Sequence, residues 1–176
     1  MITIKDKKFV SLIPKDVLES RIEILAQQLN KEFKGKNPLL IGILNGSFMF
    51  LSELSKHLDF QCEISFVKVK SYENMHSSGL VTELIGLTEN IENRDVIIVE
   101  DIVDTGLTLN RILPDFDKKK PNSIKIVTML FKESAFKGNY RPDFKAFVID
   151  DVFVAGYGLD YNGYGRNLNQ IVKVSD

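Results

Sequence analysis

The stretch VIIVEDIVDTGLTL, residues 96–109, places four apolar residues directly before a run of carboxylates, a glycine and two threonines. These apolar residues are β-branched, which is typical of a strand buried on both faces. Leu109, Ile112, Leu113 and Phe116 then recur at helical spacing, so a helix is expected to follow. The polar residues in between are therefore predicted to lie at a strand-to-helix turn.

This turn combines features that bind an anion with features that repel one. Free backbone N–H groups at a helix start, two threonine hydroxyls and Gly106, which lets a ligand approach the backbone, favour a bound phosphate. Glu100, Asp101 and Asp104 would repel a phosphate lying directly on them. We therefore expect a ligand with separated chemistry: a phosphate at the 105–108 loop, and hydroxyl groups or a divalent cation at the acids.

The bulk composition limits the class of protein. A chain of 176 residues with 44% apolar content fits a single domain, 1–176, that can bury a core. Its 23 basic and 24 acidic residues give a formal net charge of −1, which points to neither nucleic acid nor a membrane surface as a partner. The single cysteine, Cys62, and an N-terminus without the apolar core of a signal peptide predict a cytoplasmic protein.

The rest of the chain alternates helices with strands. The apolar patterns predict helices over 17–33 and 48–58 and strands over 39–44, 64–69, 96–99, 124–130 and 171–174. Such alternation predicts an α/β fold, a twisted parallel sheet flanked by helices, with ligands outside the carboxyl ends of the strands. Residues 71–94 contain few apolar anchors and predict a flexible β-type lid at that edge.

The central stretch resembles the phosphoribosyl-diphosphate signature of the type I phosphoribosyltransferases. The tail, FVAGYGLDY at 153–161 followed by Tyr164 and 166–168, resembles the 6-oxopurine branch of that family, the hypoxanthine-guanine phosphoribosyltransferases. The resemblance implies purine salvage, in which the phosphoribosyl group of 5-phosphoribosyl 1-diphosphate is transferred to N9 of hypoxanthine or guanine, with Mg²⁺ as cofactor. It also implies a small purine-binding hood built from 144–176 and the N-terminal segment, and a homodimer or homotetramer.

The resemblance implies roles for the residues that bind the phosphoribosyl donor. Glu100 and Asp101 would hold the ribose hydroxyls and support the metal, and the 104–108 loop would hold the 5-phosphate. Asp104 would also exchange a proton with N7 of the purine and so act as the catalytic residue. The full implied set of donor-binding residues is Asn45, Gly46, Ser71, Tyr72, Glu100, Asp101, Asp104, Thr105, Gly106, Leu107, Thr108 and Arg166.

Within that set, Asn45 and Gly46 match the first diphosphate loop, which in this family contains a cis peptide. Ser71 and Tyr72 match the start of the lid, and Arg166 would meet the diphosphate. Many relatives carry lysine where this chain has Asn45, and some carry lysine at the position of Leu107. These two differences remove positive charge near the phosphates but leave the backbone donors in place.

The purine side of the site is implied in the same way. Lys132 would donate to the 6-oxo group, Phe153 would stack on the base, and the Val154 backbone would meet the Watson–Crick edge. Asp160 would lie near the base and a second magnesium ion, so that the implied metal ligands are Glu100, Asp101 and Asp160.

Three other interpretations compete with this one. Asp104-Thr105-Gly106 also spells the aspartic-protease triplet, but that chemistry needs two such loops in an all-β setting. A nucleotide-sensing regulator with the same fold would bind RNA or a partner protein, and the near-neutral charge argues against it. A transferase that prefers xanthine stays open, because the preference depends on backbone positions around Val154 and Asp160.

Overall fold

The computed structural model describes residues 1–69 and 83–175. Helices and strands follow one another in an order that alternates over most of the chain. In chain order they are β1 Ile2–Ile4, β2 Lys7–Ile13, α1 Lys15–Glu32, β3 Leu39–Leu44, α2 Phe48–Lys56, β4 Glu63–Val69, β5 Glu83–Ile85, β6 Asp95–Val103, α3 Leu107–Asp117, β7 Ser123–Phe131, β8 Phe144–Val148, β9 Val154–Ala155 and β10 Ile171–Val174.

The main sheet has β6 near its centre. Within the described residues its strand order is β5-β4-β3-β6-β7-β8. The five strands from β4 to β8 in that order are parallel to one another, and β5 pairs antiparallel with β4. The predicted α/β fold with a parallel sheet is therefore confirmed.

Both faces of β6 are buried, which explains its continuous run of β-branched residues. Ile97 and Val99 pack into a cluster with buried residues of α1 and α2, whereas Val96 and Ile98 pack into a second cluster with α3. Helices therefore cover the two faces of the sheet, and alternate side chains of the strand serve opposite clusters.

The central strand is longer than its sequence pattern predicts. It continues through the acids to Val103, so Glu100 and Asp101 lie within the strand and not in the turn after it. The reason is that Ile102 and Val103 still pair with β7, opposite Leu130 and Phe131. Prediction of a strand over 96–99 was therefore wrong at its carboxyl end, and the turn begins at Asp104.

The two chain termini form a second, antiparallel sheet in the order β1-β2-β10-β9. Its small core contains Phe9, Ala155 and Val172, all buried. The N-terminal and C-terminal segments thus form one sheet, the arrangement expected for a hood built from both ends of the chain. The strands β1 and β2 were not anticipated from the sequence, because Lys7 and Lys8 are exposed and interrupt any apolar pattern.

The predicted lid lies only partly within the described residues. Its later part contains β5, which pairs with β4, and Ile91, which is fully buried in the second cluster. This part is anchored to the main sheet. Ser71 and Tyr72 lie outside the described residues. In the described part of the chain, each helix is too short or too polar to span a lipid bilayer.

Candidate active site

Three strand ends of the main sheet bring most of the candidate residues to one edge. Asn45 and Gly46 follow β3, the 104–106 turn follows β6, and Lys132 follows β7. The backbone N–H of Lys132 donates to the carbonyl of Val103 at 3.0 Å, which holds the last two strand ends side by side. Parallel pairing therefore gathers residues that are far apart in the chain.

Glu100 and Asp101 are buried carboxylates, 7% and 8% exposed. Burial raises the pKa of Asp101 to about 6, although its Oδ1 accepts a hydrogen bond from the Ile102 N–H at 2.9 Å. Burial and the neighbouring Asp101 charge raise the pKa of Glu100 well above its ordinary value. Among the described residues, Glu100 Oε2 has no hydrogen-bond partner. Such groups need hydroxyl donors or a cation to compensate their burial.

Gly46 lies directly against the Asp101 carboxylate. The peptide bond between Leu44 and Asn45 is cis, as the family resemblance implied. A Cβ at position 46 would overlap Asp101 Oδ2, so no side chain fits there. On its other side the Gly46 carbonyl oxygen occupies the space that a side chain at Gly158 would need. The loop after β3 is thus packed between an acid of β6 and the C-terminal tail.

The 104–108 turn, whose last two residues are already the first two of α3, surrounds a cavity of about 210 Å³ that also reaches Glu100. Gly106 has a φ of +83°, a left-handed conformation that glycine adopts without strain, and it precedes the first residue of α3. Gly106 stands at the N-cap position of α3 and has no side chain with which to cap the helix start, an arrangement that leaves the first N–H groups to a ligand or to water. Leu107 is 70% exposed beside the cavity.

A segment that the sequence did not single out supports this turn. The backbone N–H of Lys137 donates to the Thr105 carbonyl at 3.1 Å. Phe136 and Gly138 pack so closely on Gly106 that a Cβ there would lie 2.6 Å from the phenyl ring. The contact joins residues about thirty positions apart, and no local pattern in either segment predicts it.

Lys132 is a buried ammonium group held between two carboxylates. Its Nζ lies 2.9 Å from Asp104 Oδ2 and 3.0 Å from Asp151 Oδ1. Burial lowers the pKa of Lys132, but the hydrogen bonds to the two acids outweigh that effect and leave the pKa above its usual value. The lysine therefore carries its charge at neutral pH. Asp151 was not anticipated from the sequence.

Phe153, at the start of the tail, presents an aromatic surface. Its side chain is half exposed, whereas the following residue, Val154, is buried in β9. The ring of Phe153 packs on Tyr161 with centroids 5.8 Å apart and on Phe9 with centroids 6.5 Å apart. The hood therefore supports one side of the ring while part of it faces solvent.

Arg166 and Asp160 form an ion pair within the tail. Arg166 Nη2 lies 2.5 Å from Asp160 Oδ1, and Nη1 donates to the Gly158 carbonyl at 2.6 Å. The other Asp160 oxygen accepts the N–H of Gly163 at 2.6 Å. Gly158, whose carbonyl accepts from Arg166, also packs against Gly46. The Arg166–Asp160 ion pair is therefore connected through Gly158 to the loop that follows β3.

Comparison with known proteins identifies the family. A family model described as the phosphoribosyl transferase domain matches residues 15–162. A hypoxanthine-guanine phosphoribosyltransferase from Bacillus subtilis (strain 168) is 42% identical over 161 residues, which are 91% of this chain and 89% of the relative. The chain belongs to the phosphoribosyl transferase family, in its hypoxanthine-guanine branch.

Solved structures of this family agree with the fold. A crystal structure of a hypoxanthine phosphoribosyltransferase from Staphylococcus aureus is 38% identical, with a TM-score of 0.89, and the match covers 97% of this chain and 92% of that one. A hypoxanthine-guanine phosphoribosyltransferase from Bacillus anthracis is 34% identical, with a TM-score of 0.87 and coverage of 97% and 99%. The enzymatic class of the chain follows from these relatives.

The phosphoribosyltransferase site fits a magnesium ion that a substrate helps to hold. Within the described residues, no three or more His, Cys, Asp or Glu side chains gather into a cluster that could bind a metal unaided. Mg²⁺ commonly takes one or two carboxylates and completes its octahedron with substrate phosphates and water. The unpartnered Glu100 oxygen and the buried Asp101 carboxylate suit that role.

Proposed function

We propose that this phosphoribosyltransferase transfers the phosphoribosyl group of 5-phosphoribosyl 1-diphosphate to N9 of hypoxanthine and guanine. The products are IMP or GMP and diphosphate, which makes the reaction a purine salvage step. The observation that carries the proposal is the buried, charged Lys132 beside Asp104, at the same sheet edge as the 104–108 turn. A fixed ammonium donor selects a 6-oxo group, an acceptor, over a 6-amino group.

The donor half of the site binds the sugar and its phosphates. Glu100 and Asp101 accept hydrogen bonds from the ribose hydroxyls, and the N–H groups at the start of α3 hold the 5-phosphate with the hydroxyls of Thr105 and Thr108. The loop of Asn45 and Gly46 offers backbone donors to the diphosphate. This assignment is supported by the burial of the two acids and by the uncapped helix start.

Mg²⁺ is the cofactor of this proposal. Glu100 and Asp101 would hold one ion together with substrate phosphates, and Asp160 would lie near a second ion on the diphosphate side. When bound, the ion supplies positive charge that neutralises the departing diphosphate. Asp160 is engaged by Arg166 and by the Gly163 N–H. The arginine is therefore placed beside the acid that we assign to this end of the substrate.

In the chemical step, the N9 lone pair of the base attacks C1 of the sugar as the bond from C1 to the diphosphate oxygen breaks. The transition state carries oxocarbenium character at the sugar. A base bearing its proton on N7 must lose that proton, and Asp104 accepts it. Phe153 stacks on the base and Lys132 holds its 6-oxo group, so that N9 is directed at C1.

A panel of bases tests this proposal. The protein is incubated with 5-phosphoribosyl 1-diphosphate, Mg²⁺ and hypoxanthine, guanine, xanthine or adenine in turn, and nucleotides are quantified by chromatography. We expect IMP and GMP to form and AMP to be absent. Faster turnover of xanthine would favour the xanthine-preferring alternative. No product from any base, with retention of RNA on a gel, would favour the nucleotide-sensing regulator.

We also propose a cytoplasmic homodimer or homotetramer with small-molecule substrates and without nucleic-acid or membrane partners. The single cysteine and the net charge of −1 support the location and the choice of partners. The exposed apolar side chains of Phe48, Ile64 and Phe66 are suited to a subunit contact. Light scattering coupled to size-exclusion chromatography distinguishes the dimer, the tetramer and a monomer.

A further inference from the structure

Asp151 contacts the purine-binding lysine but has no part in the mechanism described so far. Its Oδ1 lies 3.0 Å from Lys132 Nζ, and Asp104 Oδ2 lies 2.9 Å from the same nitrogen. The lysine side chain is only 8% exposed, whereas the Asp151 side chain is 62% exposed. One buried cation therefore has two anionic partners, and one of these is Asp104, the residue to which we assign acceptance of the N7 proton.

The proton transfer creates a difficulty for a lysine paired with Asp104 alone. When Asp104 accepts the N7 proton, its negative charge is lost at the moment when the base must be held in place. A buried ammonium group left without an anion is strongly destabilised. Lys132 would then shift toward solvent, or lose its proton, and its hydrogen bond to the 6-oxo group would weaken.

We propose that Asp151 is a positioning residue that keeps Lys132 charged and directed at the 6-oxo group while Asp104 exchanges its proton. The role rests on the proposed function. In this role the two carboxylates have different tasks: Asp104 exchanges a proton with the base, and Asp151 keeps a negative charge beside Lys132 during that exchange. Its exposure to solvent suits that task, because hydration stabilises the charged carboxylate.

The place of Asp151 in the fold links the lysine to the base-stacking ring. It lies between β8 and β9, two positions before Phe153. The Val152 N–H donates to the Asp150 carbonyl at 2.8 Å, which closes a tight turn around Asp151. A hydrogen bond from Lys132 therefore ties the end of β7 to the segment that carries Phe153. The donor to the 6-oxo group and the stacking surface are thereby held in a fixed relation.

Kinetics of three variants test this role. Asp151→Asn removes the anion, Asp151→Glu restores it, and Asp150→Asn removes one charge from the exposed neighbouring position. For Asp151→Asn we expect the KM for hypoxanthine to rise about fivefold, a change typical of losing one ion pair. The KM for 5-phosphoribosyl 1-diphosphate should stay within about twofold, because the donor half is untouched. Asp151→Glu should recover most of the loss, and Asp150→Asn should match the wild type.

Unsubstituted purine, which lacks the 6-oxo group, separates positioning from a general structural effect. Used as a competitive inhibitor against hypoxanthine, it should bind wild type and Asp151→Asn equally, because Lys132 has no acceptor to meet. Equal weakening of purine and hypoxanthine would show a disturbed pocket and overturn the proposal. So would an unchanged KM for hypoxanthine in Asp151→Asn.

Measuring nucleotide formation by the wild type and by Asp151→Asn distinguishes a failure of the proposed function from a failure of the role of Asp151. A wild-type protein that makes no nucleotide overturns the proposed function, and the role of Asp151 falls with it. A wild-type protein that makes IMP, beside an Asp151→Asn variant with unaltered kinetics, overturns the role of Asp151 alone.

Discussion

Glu100 and Asp101 are side chains whose proposed role in ligand binding lowers the stability of the unliganded protein. Both carboxylates are buried, and burial raises the pKa of each. Gly46 packs against Asp101 so closely that water has little access to that side of the carboxylate. In the proposed function these two acids are in place for hydroxyl groups and a cation before the substrate binds, and their burial without such partners lowers the stability of the unliganded protein.

Replacing Asp101 by asparagine should stabilise the unliganded protein at neutral pH. The pKa of Asp101 is raised from 3.8 to about 6, a difference worth roughly 3 kcal/mol, of which we expect about 1–3 kcal/mol in the free energy of unfolding. Urea unfolding at pH 7.5 measures it, with Asp150→Asn as a surface control. A less stable Asp101→Asn variant would contradict the argument.

The same group makes the stability of the unliganded protein depend on pH. Because the folded pKa of Asp101 lies above the unfolded value, the folded state binds more protons between about pH 4 and 6. The contribution of this group to stability is therefore greatest below pH 4 and is lost as the pH rises through 6. Unfolding free energies at pH 5 and 7.5 should show a smaller decrease for Asp101→Asn than for the wild type; equal decreases would rule out this assignment.

Replacing Asp104 by asparagine should lower turnover while leaving the binding of 5-phosphoribosyl 1-diphosphate nearly unchanged. Asparagine at this position still accepts a hydrogen bond from Lys132, 2.9 Å away, but it cannot take the N7 proton. We expect kcat to fall by about 10²–10⁴-fold, the usual worth of a positioned general base. Initial rates should show the KM for 5-phosphoribosyl 1-diphosphate changed by no more than about threefold. Unchanged kcat would remove Asp104 from proton transfer.

At the scale of elements, the two sheets divide the site. The carboxyl ends of β3, β6 and β7 contribute the acids, the turn at 104–108 and Lys132. Phe153 comes from the other side, where it directly precedes β9 of the terminal sheet. Phe9 of β2 is fully buried under the aromatic residues of the tail, with its ring centroid 6.0 Å from that of Tyr161. The first strands of the chain therefore support a ring that comes near its end.

Shortening Phe9 should weaken purine binding specifically. Phe9→Leu removes ring contacts with Phe153 and Tyr161 and is expected to cost about 1 kcal/mol of stability. Phe33→Leu is the matched control, because Phe33 is equally buried but packs on Phe60 in the first cluster. Steady-state kinetics should show a raised KM for hypoxanthine in Phe9→Leu alone. An equal rise in both variants would mean that the effect is general destabilisation.

The central strand and the helix after it could be predicted because the apolar pattern within each segment is enough to indicate its type. The β-branched run 96–99 predicts a doubly buried strand, and helical spacing after Leu107 predicts α3. The carboxyl end of β6 could not be read in this way, since Glu100 and Asp101 interrupt the apolar pattern and only pairing with β7 extends the strand. The strand β2 depends likewise on its pairing with β10, more than 150 residues away, and β1 pairs in turn with β2.

The candidate site was predictable to a lesser degree. Sequence reasoning alone indicated a phosphate beside separated acids, and the family resemblance added Lys132 and Phe153. Asp151 was missed because its contact with Lys132 joins residues 19 positions apart across two strand ends. The support of Gly106 by Phe136 was missed for the same reason. Long-range packing, which no local pattern records, decides both contacts.

At the scale of the whole molecule, charge argues against a nucleic-acid partner. With 23 basic and 24 acidic residues, the chain lacks the excess of cations that gives most of the affinity for a polyanion. We expect no retention of single-stranded or double-stranded RNA in a gel-shift assay at physiological salt and micromolar protein. Salt-sensitive retention under those conditions would contradict this expectation.

The central claim is that one edge of the main sheet binds the donor while Lys132 and the tail select the base. A crystal structure of the protein with IMP and Mg²⁺-diphosphate tests it most directly. We predict the 5-phosphate on the N–H groups of 105–108, the 6-oxo group about 3 Å from Lys132 Nζ, and the base stacked on Phe153. A nucleotide bound with its phosphate away from this turn, or with its base away from Lys132, would contradict the account.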